Sequence, residues 1–286
     1  MKRPLLPVLL AALALLCACA APAPSDPAPE PAQPAADAPQ QYTLSFVGDC
    51  TLASSQFHRG SPYSFRAVIG DELARPFAGT AAYFQADSLT VANLECTLTD
   101  STAAPRGLFG FAADPAYAGV LTTGGVDMVT LANNHSGDFG PDAYAQTGRT
   151  LDAAGIAWAG ENEWTLVTTA DGLTVGLYCT GASLSPAIEP CLAALEDMRA
   201  AGAELCVVLP HWGKEGSYRP NAAQRAFAAV LPLNTSSLPT LLLRNRVSIQ
   251  HILRFFYTFP QHLTFTAAKA KRRSKARSHF SPKLLS

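Results

Sequence analysis

Four runs of the chain alternate apolar residues with small or polar ones and then stop abruptly in polar side chains. YTLSFVGDC (42–50) stops at Gly48-Asp49. SLTVANLEC (88–96) stops at Asn93-Leu94-Glu95, VDMVTLANNH (126–135) at Asn133-Asn134-His135, and ELCVVLPHWG (204–213) at His211. Period-two alternation and short apolar runs predict strands. TLVTTADGLTVGLYC (165–179) predicts a hairpin turning at Asp171-Gly172. Helices are predicted over about 141–153, with Pro141 in the first turn and Gly155 near the end, over 190–201, and from 221 toward 231. Strands that alternate with helices predict an α/β fold, and no repeat of solenoid period is present.

In layered α/β folds ligands bind at the carboxyl ends of strands. Asp49, Asn93, Glu95, Asn134, His135 and His211 all fall there. Carboxylates, a carboxamide oxygen and imidazoles together suit Mn, Fe, Zn or Mg. A shared carboxylate can bridge two such ions. An Asn followed directly by a His lets one residue hold metal while the next donates a proton. Each residue singly has an ordinary explanation: a turn cap for Asp49, a surface acid for Glu95, turn chemistry for Asn133-Asn134, a hydrogen-bonded half-buried ring for His211. Their joint placement at four strand ends is what points to a site. His58, in QFHRG, is a surface loop histidine or a substitute ligand. Cys50 and Cys96 pair, face the metals, or are small buried residues.

Composition changes this picture at both ends. The chain has 286 residues, of which 48% are hydrophobic, enough for one large domain or two small ones. Lys2-Arg3 precede the apolar run Leu5–Leu16, which falls short of the about 20 residues that span a bilayer. The run ends in Leu16-Cys17-Ala18-Cys19, which resembles a lipobox. Residues 1–19 are therefore expected to be a lipoprotein signal peptide that leaves Cys19 lipidated; an ordinary cleaved signal is the alternative. Residues 20–41 are rich in Ala and Pro and are expected to form a disordered tether. The five remaining cysteines are an odd number without framework spacing, so at least one is free or pairs outside the chain. Residues 1–231 hold all 22 acids and 11 of the 21 basic residues. Residues 232–286 hold the other 10 basic residues and no Asp, Glu, Gly or Cys. This basic tail is expected to be non-native or disordered: out-of-frame translation, a basic arm for an anionic polymer or membrane, or an assembly artefact. Nucleic acid is not an expected partner of an exported protein.

FVGDCTLA, VANLECTLTD, TLANNHSGDFGPDA and HWGKEGSYRPNAAQ together resemble the CapA family, named for poly-γ-glutamate capsule synthesis. The resemblance covers about residues 42–231. It implies a calcineurin-like metallophosphoesterase fold, a four-layer α/β/β/α sandwich, here incomplete at the C-terminus. It implies Asp49 as a ligand of a first metal, Glu95 as the bridging carboxylate, Asn134 and His211 as ligands of a second, and His135 as the proton donor. Asn93, Trp212 and Glu215 are the implied substrate contacts, and Pro220 and Gln224 complete the last motif. Gly216 stands where many members have tyrosine. The family's following Gly-x-His-Pro-His motif, which supplies the last metal ligands, is missing. His251, His262 and His279 lack its Gly and Pro neighbours.

The N-terminal signal with its lipobox and the CapA resemblance together imply an exported, lipid-anchored protein of capsule or other cell-surface polymer biosynthesis on the outer face of the cytoplasmic membrane. Its cofactors would be two divalent ions (Mn, Fe or Zn), not necessarily retained by this chain. Its partners would be an anionic cell-surface polymer and membrane proteins of capsule synthesis or export. Metal-dependent hydrolysis or transfer is one expected activity; non-catalytic polymer binding, with the last ligands lost, is the other.

Overall fold

The period-two pattern decides which side of each strand is buried against what. In the computed structural model, which describes residues 40–181, 187–214, 216–217, 219–231, 240–242 and 261–267, two sheets pack face to face. The signal segment with Cys19, the tether up to residue 39, Glu215, His251 and His279 lie outside the described residues. Among the described residues no helix is long and apolar enough to cross a membrane.

The first sheet contains β1 (Gln40–Cys50), β2 (Leu89–Leu94), β5 (Met128–Thr130) and β6 (Ala157–Ala159), all parallel. The second contains β7 (Glu163–Thr168), β8 (Thr174–Thr180) and β9 (Leu205–Pro210). β8 and β9 run parallel, and β7 is antiparallel to β8 across the expected hairpin. Two strands come from the basic tail. β10 (Thr240–Leu242) runs parallel beside β9, and β11 (Gln261–Ala267) lies beside β1. A small parallel pair, β3 (Thr97–Leu98) and β4 (Ala112–Ala113), follows Glu95.

Leu89 and Val91 of β2 face inward, with Tyr42, Leu44 and Phe46 of β1, onto Val175, Leu177, Leu205, Val207 and Leu209 of the second sheet. The alternate residues Ala92 and Leu94 face outward, onto a core shared with α3 (Ala118–Gly124) and α4 (Pro141–Ala153). Short helices α1 (Phe65–Ile69) and α2 (Ala81–Phe84) join that outer core. On the far side, Tyr178, Cys206 and Val208 pack against α5 (Ile188–Ala200) and α6 (Ala222–Val230). The order is helices, sheet, sheet, helices, the α/β/β/α layering that the motifs implied. Each Val, Leu or Phe side chain fully buried in these cores is stabilised by about 1.5–3 kcal/mol relative to exposure.

Two helix boundaries follow local rules. Pro141 opens α4 at its first position. Asn221 caps α6 through its side chain, and Gln224 reaches back in a capping box.

Candidate metal and proton-transfer site

The site is a continuation of the inward stripes past the strand ends. In β2 the stripe Leu89-Val91 continues to Asn93, and in β9 the stripe Leu205-Val207-Leu209 continues to His211. β1 needs a correction to join them, because Tyr42-Leu44-Phe46 would put Asp49 on the opposite face. The ladder supplies it. Phe46 lies opposite Val91, but Asp49 lies opposite Asn93, so one extra residue is bulged into β1. That bulge turns Asp49 toward the interior of the site.

His211, 4% exposed, is the centre. Asn93 Nδ2 donates to Asp49 Oδ1 at 2.8 Å and lies 3.1 Å from His211 Nδ1. Nδ1 therefore accepts, and His211 Nε2 carries the proton toward Asn134 Oδ1 at 2.9 Å. Asp49 Oδ1 lies 3.7 Å from Nδ1, and Glu95 Oε1 lies 3.7 Å from Nε2. Three expected ligands thus gather around the fourth, Asp49 on the Nδ1 side of His211 and Glu95 and Asn134 on its Nε2 side. Burial holds the His211 pKa below its ordinary value, and the neighbouring His135 adds to this; Asp49 and Glu161 pull the other way.

The second sheet holds His211 through its backbone. Its N–H donates to Thr180 O at 2.8 Å. Gly181, at φ 123°, lies so close that a Cβ there would come within 2.0 Å of the His211 carbonyl oxygen. Only glycine fits this contact.

His135 forms a second centre. Its Nδ1 lies 3.0 Å from Asp138 Oδ2, and its ring packs edge-on against Phe111 with centroids 4.7 Å apart. Asp138 Oδ2 also accepts from the Phe111 N–H at 2.9 Å. Asn133 braces both centres. Its Nδ2 donates to Asn93 Oδ1 and Leu94 O, and its Oδ1 accepts from the N–H groups of His135 and Ser136.

Two expected substrate contacts are placed otherwise. Asn93 is buried, and its amide is taken up by Asp49, His211 and Asn133, which makes it a brace inside the site. Trp212 follows the outward stripe of β9 and packs edge-on against Phe227, 5.1 Å between centroids, in the outer core. Glu215 lies outside the described residues. His58 binds Ser55, Nδ1 to Oγ at 3.1 Å. Cys50, Cys96, Cys179, Cys191 and Cys206 are all free and buried, and burial pushes the thiols of Cys50 and Cys96 up to about 12. Sequence reasoning read Asn133 only as turn chemistry, and missed Asp138 and Phe111. The spacing of Asp138, three residues after His135, was the available signal for one of them.

Among the described residues, no group of three or more His, Cys, Asp or Glu side chains could hold a metal ion. The donor set that converges includes a carboxamide: Glu95 Oε1, Asn134 Oδ1 and His211 Nε2. Ligands about 2.1 Å from a shared ion lie about 3.0–3.4 Å apart in octahedral or tetrahedral arrangement. The two separations from Nε2, 2.9 and 3.7 Å, bracket that range. These donors approach the spacing around one divalent cation without closing a site. A second would need ligands beyond these.

The family model of the bacterial capsule synthesis protein PGA_cap matches residues 43–232. The chain belongs to this family. The match ends where the basic tail begins, and it bears out the CapA motif resemblance. Among solved structures, the chain is similar to the crystal structure of the calcineurin-like phosphoesterase YfkN from Bacillus subtilis. The two are 13% identical over 71% of each chain, with a TM-score of 0.41. No curated protein matches the chain. Of the strand-end residues within the matched range, Asp49, Asn93, Glu95, Asn134, His135 and His211 meet in or brace one site, and Trp212 does not.

Proposed function

We propose that this capsule synthesis protein is a divalent-metal-dependent enzyme. It would cleave or transfer an ester, amide or phosphoryl bond of an anionic cell-surface polymer, while tethered to the outer face of the cytoplasmic membrane by lipid on Cys19. The observation that carries the proposal is the meeting of Glu95, Asn134 and His211 beside the His135–Asp138 pair.

Glu95, Asn134 and His211 Nε2 would hold the cation, which when bound supplies Lewis acidity toward the substrate oxygen. With a cation on Nε2, the ring proton of His211 would sit on Nδ1, the side on which Asp49 lies, where a carboxylate would orient the ring. Asp138 keeps the Nδ1 proton of His135, so Nε2 is the atom that exchanges a proton with the leaving group. Asn133 fixes the spacing between the two histidines through the His135 N–H and Asn93.

The test uses the purified full chain. Equilibrium dialysis against Mn, Zn and Fe should give stoichiometric binding that Glu95→Gln weakens. Release of new polymer ends should require metal and be lost in His135→Ala, which keeps the metal. Absence of stoichiometric metal in the wild type, or full activity in His135→Ala, would overturn the assignment. A non-catalytic polymer-binding role is the second reading. It is favoured by the missing group of three charged or thiol ligands among the described residues. Polymer binding that survives a chelator, without any turnover, would support it.

A further inference from the structure

Two loops form a rim next to the His135–Asp138 pair, and neither has a role in the chemistry above. One runs from Ser54 to Ser64, the other from Ala104 to Phe111. Gln56 ties them together, donating to Leu108 O at 2.6 Å and accepting from the Gly110 N–H at 2.7 Å. Ser55 bridges Phe111, the ring that packs on His135. The Arg106 N–H donates to Asp138 O at 2.7 Å. The rim is therefore built onto the proton-transfer pair.

Its side chains have one consistent chemistry. Arg59 lies over the Phe139 ring, 5.2 Å from guanidinium carbon to centroid. The Arg106 guanidinium packs on Gly140, 3.2 Å from the position a Cβ would take there. Both arginines are exposed, and among the described residues neither forms an ion pair. Arg66, nearby, differs in being neutralised by Asp114 at 3.2 Å. Arg59 also lines a cleft of about 360 Å³ with Ser54, Ser64 and Arg66, which Asp100 and Asp114 line as well, so the anion-binding face lies on the Phe139 side of Arg59. Between the two arginines' loops, Phe57 and Phe109 meet edge-on at 5.9 Å and stay 63% and 48% exposed.

We propose that Arg59 and Arg106 form a carboxylate clamp that seats a polymer of closely spaced carboxylates beside His135, with Phe57 and Phe109 carrying its aliphatic stems. The clamp rests on the proposed enzymatic site and names the residues that choose its substrate. Two unneutralised guanidiniums flanking Phe139-Gly140 match a repeating anion. Stacking on Phe139 holds Arg59 in place before binding, which lowers the ordering cost. The exposed aromatic pair would be a liability on a surface with no apolar ligand.

The experiment measures binding of fluorescent polyglutamate to the full chain at low and high salt. Arg59→Ala with Arg106→Ala should weaken binding about tenfold and flatten its salt dependence. Arg75→Ala, whose guanidinium lies on Glu72 and Val68 O, should leave it unchanged. Neutral dextran should not bind. Wild-type affinity in the double variant, or binding to anionic lipid vesicles with none to polyglutamate, would overturn the clamp. Stoichiometric metal in the double variant would show that only the clamp has failed. Arginine-dependent polymer binding by a wild type that takes up no metal would sustain the clamp and sink the enzymatic site.

Discussion

The two sheets contribute unequally to the site. The carboxyl edge of the first delivers Asp49, Asn93, Glu95, Asn133, Asn134 and His135, cross-braced by hydrogen bonds. The second delivers His211, held by the Thr180 carbonyl and by the bare backbone of Gly181. The first edge is a network that supports itself. The second is a single imidazole whose position depends on one close backbone contact. Damage to the two should therefore look different. Lesions on the second side should act through packing, and lesions on the first through loss of hydrogen bonds.

The largest effect is expected at that contact. Gly181→Ala puts a Cβ 2.0 Å from the His211 carbonyl oxygen at a φ of 123°. The clash is with backbone, so relief requires β9 to move away. A loss of about 4 kcal/mol is expected in urea unfolding. Gly172→Ala, in the β7–β8 turn at φ 91° with open space around it, should cost only about 1 kcal/mol. Equal losses at the two positions would mean that His211 is not held by close approach.

The next effect separates two adjacent asparagines on the first side. Asn133 is buried and makes hydrogen bonds through both amide atoms; Asn134 is exposed and meets His211. Asn133→Ala should cost about 3 kcal/mol of stability, because several buried partners lose their bonds together. Asn134→Ala should cost less than about 1 kcal/mol and weaken divalent-metal affinity at least about tenfold. Reversed behaviour would exchange their roles.

Asp138→Asn tests the proton-transfer centre without removing a side chain. The amide retains most of the packing but no longer fixes the Nδ1 proton of His135. Turnover should fall about 10²-fold, with metal binding and the urea midpoint nearly unchanged. Unchanged turnover would show that Asp138 only supports the Phe111 loop.

Much of this comparison was legible in the residues, because period-two alternation carries past the strand ends. Leu205, Val207 and Leu209 lead to His211, and Leu89 and Val91 lead to Asn93. The same parity assigns Trp212 to the outer face, against its expected place at the substrate. Asp49 was legible as a strand-end acid, but the bulge that turns it inward was not, since a one-residue insertion leaves no periodic trace. The helix over 141–153 was found with its bounds, having three turns and a proline start. α1 and α2, with five and four residues, were not. Helices that short have no independent stability and form only on the outer core. The rim of Arg59 and Arg106 was invisible for the same reason: its loops are brought together by Gln56 and not by any local pattern.

The smallest expected effect is on pH dependence, and it again separates the two sides. His211 is neutral in the fold because burial lowers its pKa below the ordinary 6.5. The unfolded chain therefore binds a proton there that the folded chain refuses. Above about pH 6.5 neither state is charged, and the group adds no pH dependence. As pH falls below that value the unfolded state gains, and stability drops by at most about 1.4 kcal/mol per pH unit, levelling off below the folded pKa. His211→Gln, whose amide can still bond Asn93 and Asn134, should be flatter than the wild type in that acid window when both are metal-free in a chelator. Any remaining acid sensitivity common to both belongs to other groups. If the two slopes coincide, His211 is not held neutral by burial, and the second sheet's single contribution is more open to water than its 4% exposure indicates.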